Sequence, residues 1–346
     1  MALDWVVFGW IYLRWVAPQS AIGTILTVAR TTEEAAGVNG GVLVFGNSRV
    51  GEGFSAKLAN AEAERLGASQ KFFNSAVPGT APRVWYYLLR EYRDRGLHPA
   101  AVVFMSGSPQ DSPGNFNPDA VSSIPLLSPF LRWSDAWTFP LSFRKPAARF
   151  EALEAVLFKG WLLQRDVADF LTAPEARLQA VEASREHGAE ALYDYPGNPA
   201  TLAGLSFDPA TGEIGWPPGA DKLPQNVRAY IDRLKADRGD PAPPKAAKWA
   251  HYWYASAAEL CRQMGAKMIV FRVPRGPLHF LAAPQREPYG PIADLAAARD
   301  LQTIPADAFV DLERPEFFYD DVHMNHAGRE VFSPRLAREI LRILAR

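Results

Sequence analysis

A single cysteine, Cys261, stands in 346 residues. No intrachain disulfide can form, and no Cys/His cluster has the spacing of a zinc site. An excess of positive charge is missing as well. Thirty-seven Lys and Arg face thirty-eight Asp and Glu, for a formal net charge of -1. Nucleic-acid binders normally carry a basic excess, so no nucleic acid is expected as partner, and no metal or organic cofactor either. Long apolar runs are also lacking. The stretch from Trp5 to Leu13 is uninterrupted, but Arg14 ends it, and it is too short to span a bilayer. No basic segment or clear cleavage site marks a secretory leader. Trp5, Trp10, Tyr12 and Trp15 would suit a membrane interface. Residues 1–35 therefore read as an N-terminal helical segment, either packed on the domain or the remnant of a membrane anchor. Internal repeats are absent too.

What is present is a globular composition, with 48% hydrophobic and 22% charged residues. Val42 to Phe45 is a short apolar run ending at Gly46, the pattern of a buried parallel strand. Phe54 to Leu66 reads as a helix with Phe54, Leu58 and Ala61 on one face. Lys71 to Asn74 reads as a second strand. Thr80 to Arg95 follows as a helix, with Thr80 as cap and Pro82 in its first turn. Ala101 to Met105 is a third strand. This alternation predicts βαβ units and a parallel sheet. From about 112 to 246 the rhythm breaks. That block is rich in Pro, Trp and Phe, holds a predicted helix from Arg149 to Phe170, and ends in a Pro-rich linker at 239–244. It reads as an inserted lobe. The pattern resumes with a helix at Lys248 to Met264, a strand at Lys267 to Arg272, a fifth strand at Ala308 to Leu312, and a last helix from Pro334 to Leu344 capped by Ser333. The expected fold is three-layer α/β/α with about five parallel strands, flavodoxin-like, spanning 36–346.

Two short segments carry chemistry. Gly46-Asn47-Ser48-Arg49 puts a hydroxyl at the C-terminal tip of the first strand. Asp320-Asp321-Val322-His323-Met324-Asn325 puts a carboxylate and an imidazole three residues apart on one loop. In an open parallel sheet, ligands sit beyond the carboxyl ends of the strands. A serine becomes nucleophilic when a base takes its proton, and a carboxylate on the other ring nitrogen fixes the base's tautomer. Ser48, His323 and Asp320 are thus the candidate nucleophile, base and orienting acid. The N–H groups of Ser48 and Gly79 are the candidate oxyanion donors, Gly79 as a place of close backbone approach. Asp321 is expected to be solvated, His326 to start a helix, and Cys261 and His279 to have only packing roles. Arg49, Asn74, Ser108, Arg272 and Arg275 are candidate substrate contacts. For the three arginines, holding an anion competes with a plain ion pair. The α/β-hydrolase elbow does not fit, because Val50 stands where its second glycine belongs.

These residues resemble the SGNH/GDSL hydrolase superfamily. Its Gly-Asp-Ser block is similar to Gly46-Asn47-Ser48. Its second-block glycine is similar to Gly79 in Asn74-Ser75-Ala76-Val77-Pro78-Gly79. Its Asp-x-x-His block is similar to Asp320-Asp321-Val322-His323, with Asn325 and Gly328 following. The resemblance covers roughly 40–111 and 265–345 and leaves out the lobe. Two positions depart from it: Asn47 replaces Asp, and Pro109 stands where the third block has an oxyanion-hole Asn. Proline offers no donor there, and one lost donor costs about 3 kcal/mol of transition-state stabilisation. The apolar N-terminus and altered third block resemble the branch of envelope acyl-transfer proteins, such as those of alginate O-acetylation and teichoic-acid D-alanine transfer. That resemblance implies a membrane-tethered extracytoplasmic esterase or O-acyltransferase of the periplasm or cell envelope, with O-acetyl as the group, acting on a carbohydrate or cell-envelope polysaccharide. It also implies an acyl donor presented by a membrane protein; composition alone leaves a cytoplasmic location open. From another class, a non-catalytic envelope polysaccharide-binding or assembly protein that keeps the same shell fits the missing Asn.

Overall fold

The computed structural model describes residues 2–13, 16, 21–106, 117–183, 195–208, 210–217, 224–237, 240, 243–282 and 287–346. Its seven strands are β1 (Val42–Phe45), β2 (Phe72–Asn74), β3 (Ala101–Ser106), β4 (Ser206–Phe207), β5 (Ile214–Gly215), β6 (Lys267–Arg272) and β7 (Gln302–Thr303). Five of them form one all-parallel sheet in the order β2-β1-β3-β6-β7, while β4 and β5 make a separate antiparallel hairpin. β1 lies between β2 and β3, pairing Val44 with Asn74 on one side and with Val103 on the other. Its four side chains are fully buried, as a central parallel strand covered on both faces requires. The winding reverses between β1 and β3. That is where an open α/β sheet leaves a crevice at its carboxyl edge.

The main helices are α1 (Ala21–Glu34), α2 (Ser48–Gly53), α3 (Ala56–Arg65), α4 (Pro82–Asp94), α5 (Pro146–Leu157), α6 (Lys159–Thr172), α7 (Pro224–Ala236), α8 (Pro244–Met264) and α9 (His326–Leu344). They pack in pairs, α4 against α8 and α3 against α9. One hydrophobic core joins sheet, helices and inserted lobe: Phe139, Phe143 and Ala152 of the lobe are buried in the same cluster as Phe45 and Phe104.

Several sequence expectations need correcting. The fifth strand is β7, earlier than the predicted Ala308–Leu312. Ile304 still bonds Val270, but Pro305 then turns the chain, and Val310–Leu312 becomes a 3-10 turn whose Phe309 packs on Phe332. The last helix starts at His326, about two turns before the predicted start at Pro334. Its cap is the Asn325 side chain, which accepts from Gly328 N at 2.9 Å; Ser333 sits inside and bonds back to Arg329 O. Thr80 does not cap α4. Its hydroxyl bonds Val77 O at 2.6 Å and accepts from the Trp85 indole, while the uncapped helix begins with Pro82. The predicted helix from Phe54 is broken by extended Phe54, and Ser55 caps α3. The predicted helix over 149–170 is two helices that meet at Phe158. In the 239–244 linker, Pro244 already belongs to α8.

Candidate active site

Ser48 is the first residue of α2, beginning three residues after Phe45 at the end of β1. The turn between them is forced by packing. A Cβ on Gly46 would sit 2.3 Å from Val50 Cγ2, so only glycine lets α2 fold back this tightly. Asn47 caps α2 by accepting from Arg49 N at 3.0 Å. The 75–80 loop runs along the same edge, with Ser75 N bonding Val44 O and Val77 N bonding Gly46 O.

His323 comes from the loop that leads into α9. That loop is closed by a bridge between Phe318 and Met324 and by the bond from Tyr319 N to His323 O. Asn325 pins it further, since its amide donates to Glu316 O while its carbonyl oxygen caps α9. Within the loop, Asp320 Oδ1 accepts from the backbone N–H of Val322 at 2.9 Å and of His323 at 2.7 Å. Its other oxygen, Oδ2, lies 2.7 Å from His323 Nδ1. A carboxylate can only accept, so Nδ1 carries the proton and Nε2 is left as acceptor. Nε2 lies 2.7 Å from Ser48 Oγ. The structure thus brings Ser48, His323 and Asp320 into one hydrogen-bonded line.

Burial alone would push the Asp320 carboxyl up, but the bond to His323 and the two backbone N–H groups outweigh it and hold Asp320 below the usual carboxylate range. Its neighbour Asp321 moves the other way, raised by burial and by the Asp320 charge. Asp321 is not simply solvated, as expected from sequence. It is half-buried and pairs with Arg233 of α7 at 3.1 Å.

The other expected site residues are placed differently. Gly79 has φ +70, and a Cβ added to it would meet nothing within 4 Å, so a left-handed turn and not a close approach is what calls for glycine. Arg49 is 3% exposed and turned inward, donating to Pro274 O at 2.9 Å, so it does not line a mouth. Arg275 grips Glu313 with a bidentate pair at 2.7 and 2.8 Å, which makes it an internal ion pair. Asn74 ties the loop together, donating to Phe54 O and accepting from Ala76 N. Arg272 ends β6, half-buried, in register with Ser106. Ser108 and Pro109 lie outside the described residues. His326 does start α9, and Cys261 is buried, with its thiol pushed up by that burial.

Two neighbours of the site had no sequence signal. The Tyr319 ring stacks on the His323 ring, with centroids 5.8 Å apart and planes 13° from parallel. Arg329 on α9 donates to Gly51 O and Glu52 O at the end of α2, tying the serine's helix to the helix that follows the histidine's loop. The Arg329 contact depends on how α9 docks on α2, 277 and 278 residues away in sequence, which local spacing does not encode. Among known proteins, no family model matches the chain and no curated sequence matches it.

Proposed function

We propose that this protein is a serine-dependent ester hydrolase or O-acyltransferase of SGNH type that works through an acyl-enzyme. The observation that carries the reading is the unbroken line from Ser48 Oγ through His323 to Asp320, with both links at 2.7 Å. A packing or scaffold histidine has no reason to hold a strand-tip serine and a carboxylate on its two nitrogens at once. In the proposed first step, Ser48 Oγ attacks the acyl carbonyl carbon while its proton passes to His323 Nε2. Asp320 keeps Nδ1 protonated and stabilises the imidazolium. The tetrahedral oxyanion is met by the N–H group of Ser48, with that of Gly79 as the second donor that the motif resemblance implies. Ser48 N is a first-turn amide with no intrahelical acceptor, which leaves it open for this role. Collapse breaks the ester C–O bond, and His323 returns the proton to the leaving oxygen. Water or a sugar hydroxyl, deprotonated by the same imidazole, then takes the acyl group from Ser48.

The substrate class follows from the motif resemblance: an acylated carbohydrate or cell-envelope polysaccharide, with acetyl as the acyl group. Water and a sugar hydroxyl meet the same intermediate, so hydrolysis and transfer share all of these residues. The test is hydrolysis of p-nitrophenyl acetate by wild type and Ser48→Ala. Wild-type turnover that falls by three orders of magnitude or more in the variant, roughly the loss seen when a triad nucleophile is removed, is the expected result. A variant as active as wild type would refute the nucleophile, and an inert wild type would favour a non-catalytic protein on the same frame.

A further inference from the structure

The N-terminal helix, which runs from Ala2 to Tyr12 ahead of α1, is docked on the inserted lobe by specific contacts. Asp4 accepts from Lys159 N and Gly160 N at the start of α6, Trp5 Nε1 donates to Val156 O, and the Trp5 ring stacks on Trp133 at 4.9 Å. The two segments therefore form one surface. That surface is unusually apolar. Eleven of the seventeen large hydrophobic side chains exposed among the described residues fall within residues 3–11 and 133–171. Trp137 is 82% exposed, Leu171 70%, Phe150 63%, Trp161 60% and Trp10 59%. Soluble proteins rarely leave such a concentration uncovered.

The charges on the same segments point to what covers it. Arg144, Lys145, Arg149 and Arg165 are exposed, Arg144 and Arg149 while also donating to Lys245 O and Phe143 O, whereas Asp169 is the only exposed carboxylate of 133–172. The other acids are held in the protein or half-buried: Asp135 pairs with Arg90, and Asp166 with Arg177 and the Tyr12 hydroxyl. Indole rings beside cationic side chains match the boundary between acyl chains and anionic headgroups. No helix among the described residues is long and apolar enough to cross a membrane, so contact by this face would be interfacial.

We infer that the face built from the N-terminal helix, the 133–142 turns, α5 and α6 docks on the surface of an anionic lipid bilayer. Tryptophan and leucine side chains enter the headgroup layer, and the four cations meet lipid phosphates. This inference stands apart from the esterase reading, because it uses none of the triad residues.

The experiment is co-sedimentation of the full chain with vesicles of phosphatidylcholine alone and of phosphatidylcholine with phosphatidylglycerol, for wild type and a Trp137→Glu/Trp161→Glu variant. Near-UV circular dichroism checks that the variant is folded. Wild type should pellet with the anionic vesicles, more than with neutral ones, and the variant's partitioning should fall by about tenfold or more, since two indoles leave the interface and two carboxylates are repelled by it. Wild type remaining in the supernatant with anionic vesicles would overturn the inference. So would a variant that sediments like wild type. A solution mass of twice the chain that the variant loses would assign the face to a second copy of the protein instead.

Discussion

Asp320 does two things with one carboxylate: Oδ1 folds the loop and Oδ2 orients the imidazole. Asp320→Asn separates them. The amide oxygen can still accept from the backbone, but an amide nitrogen facing Nδ1 favours the wrong tautomer. The expected loss in kcat is up to about 10⁴-fold, with far-UV circular dichroism unchanged. Acid has a related effect with a definite sign. The folded Asp320 lies below its unfolded value, so its contribution to stability is complete above the unfolded carboxylate pKa of about 4 and disappears as pH falls through the lower folded value. At this scale the hydrogen-bonded line of Ser48, His323 and Asp320 was legible in the sequence, because a strand-tip serine and an Asp-x-x-His loop are short-range patterns. The arginines were not. Arg49 and Arg275 look the same in sequence as ligand-binding cations, and only the fold reveals that Pro274 O and Glu313 already engage them.

The loop from Phe318 to Asn325 and helix α9 behave as one element. Asn325 joins them, capping α9 with one side-chain atom while the other holds Glu316 O in the loop. Asn325→Ala should lower stability by about 1 kcal/mol in urea denaturation, the ordinary worth of an N-cap. It should also reduce kcat more than it raises KM, because His323 loses its fixed position. A reduced stability with unchanged kcat would make Asn325 a cap and nothing more. Strand and helix existence was readable along most of the sheet, from β-branched runs followed by amphipathic helices. Boundaries failed where tertiary contact overrode local signal. A proline sits inside α9, where sequence rules place a helix start, and β7 is two residues long, with Pro305 turning the chain just after it.

Across the whole molecule, one arginine shows how the lobe is joined to the sheet domain. Arg83 on α4 reaches into the lobe, donating to Pro118 O, Ala120 O, Ser123 Oγ and Ser142 Oγ, with its guanidinium 3.7 Å from the Phe143 ring centroid. Burial pulls its pKa down to about 10, with Tyr87 and the Asp119 charge acting the other way, still well above neutrality, so the charge is kept. Arg83→Ala removes a donor from four acceptors at once, leaving Pro118 O without the bond it accepts, and should cost about 3 kcal/mol of unfolding free energy, with faster amide exchange over residues 118–143. A change below about 0.5 kcal/mol, the size of a surface substitution, would contradict this view of the joint. The break in the βα rhythm over 112–246 was legible; the place of that block in the shared core was not, because the contacts span dozens of residues. The proposed chemistry turns on Ser48, and mass spectrometry of the protein after reaction with a fluorophosphonate tests it. Attack of Ser48 Oγ on phosphorus expels fluoride, with the proton going to His323. The account predicts one adduct, on Ser48 in wild type, and labelling slowed by orders of magnitude in His323→Ala. An unlabelled wild type, or an adduct on another residue, would contradict it.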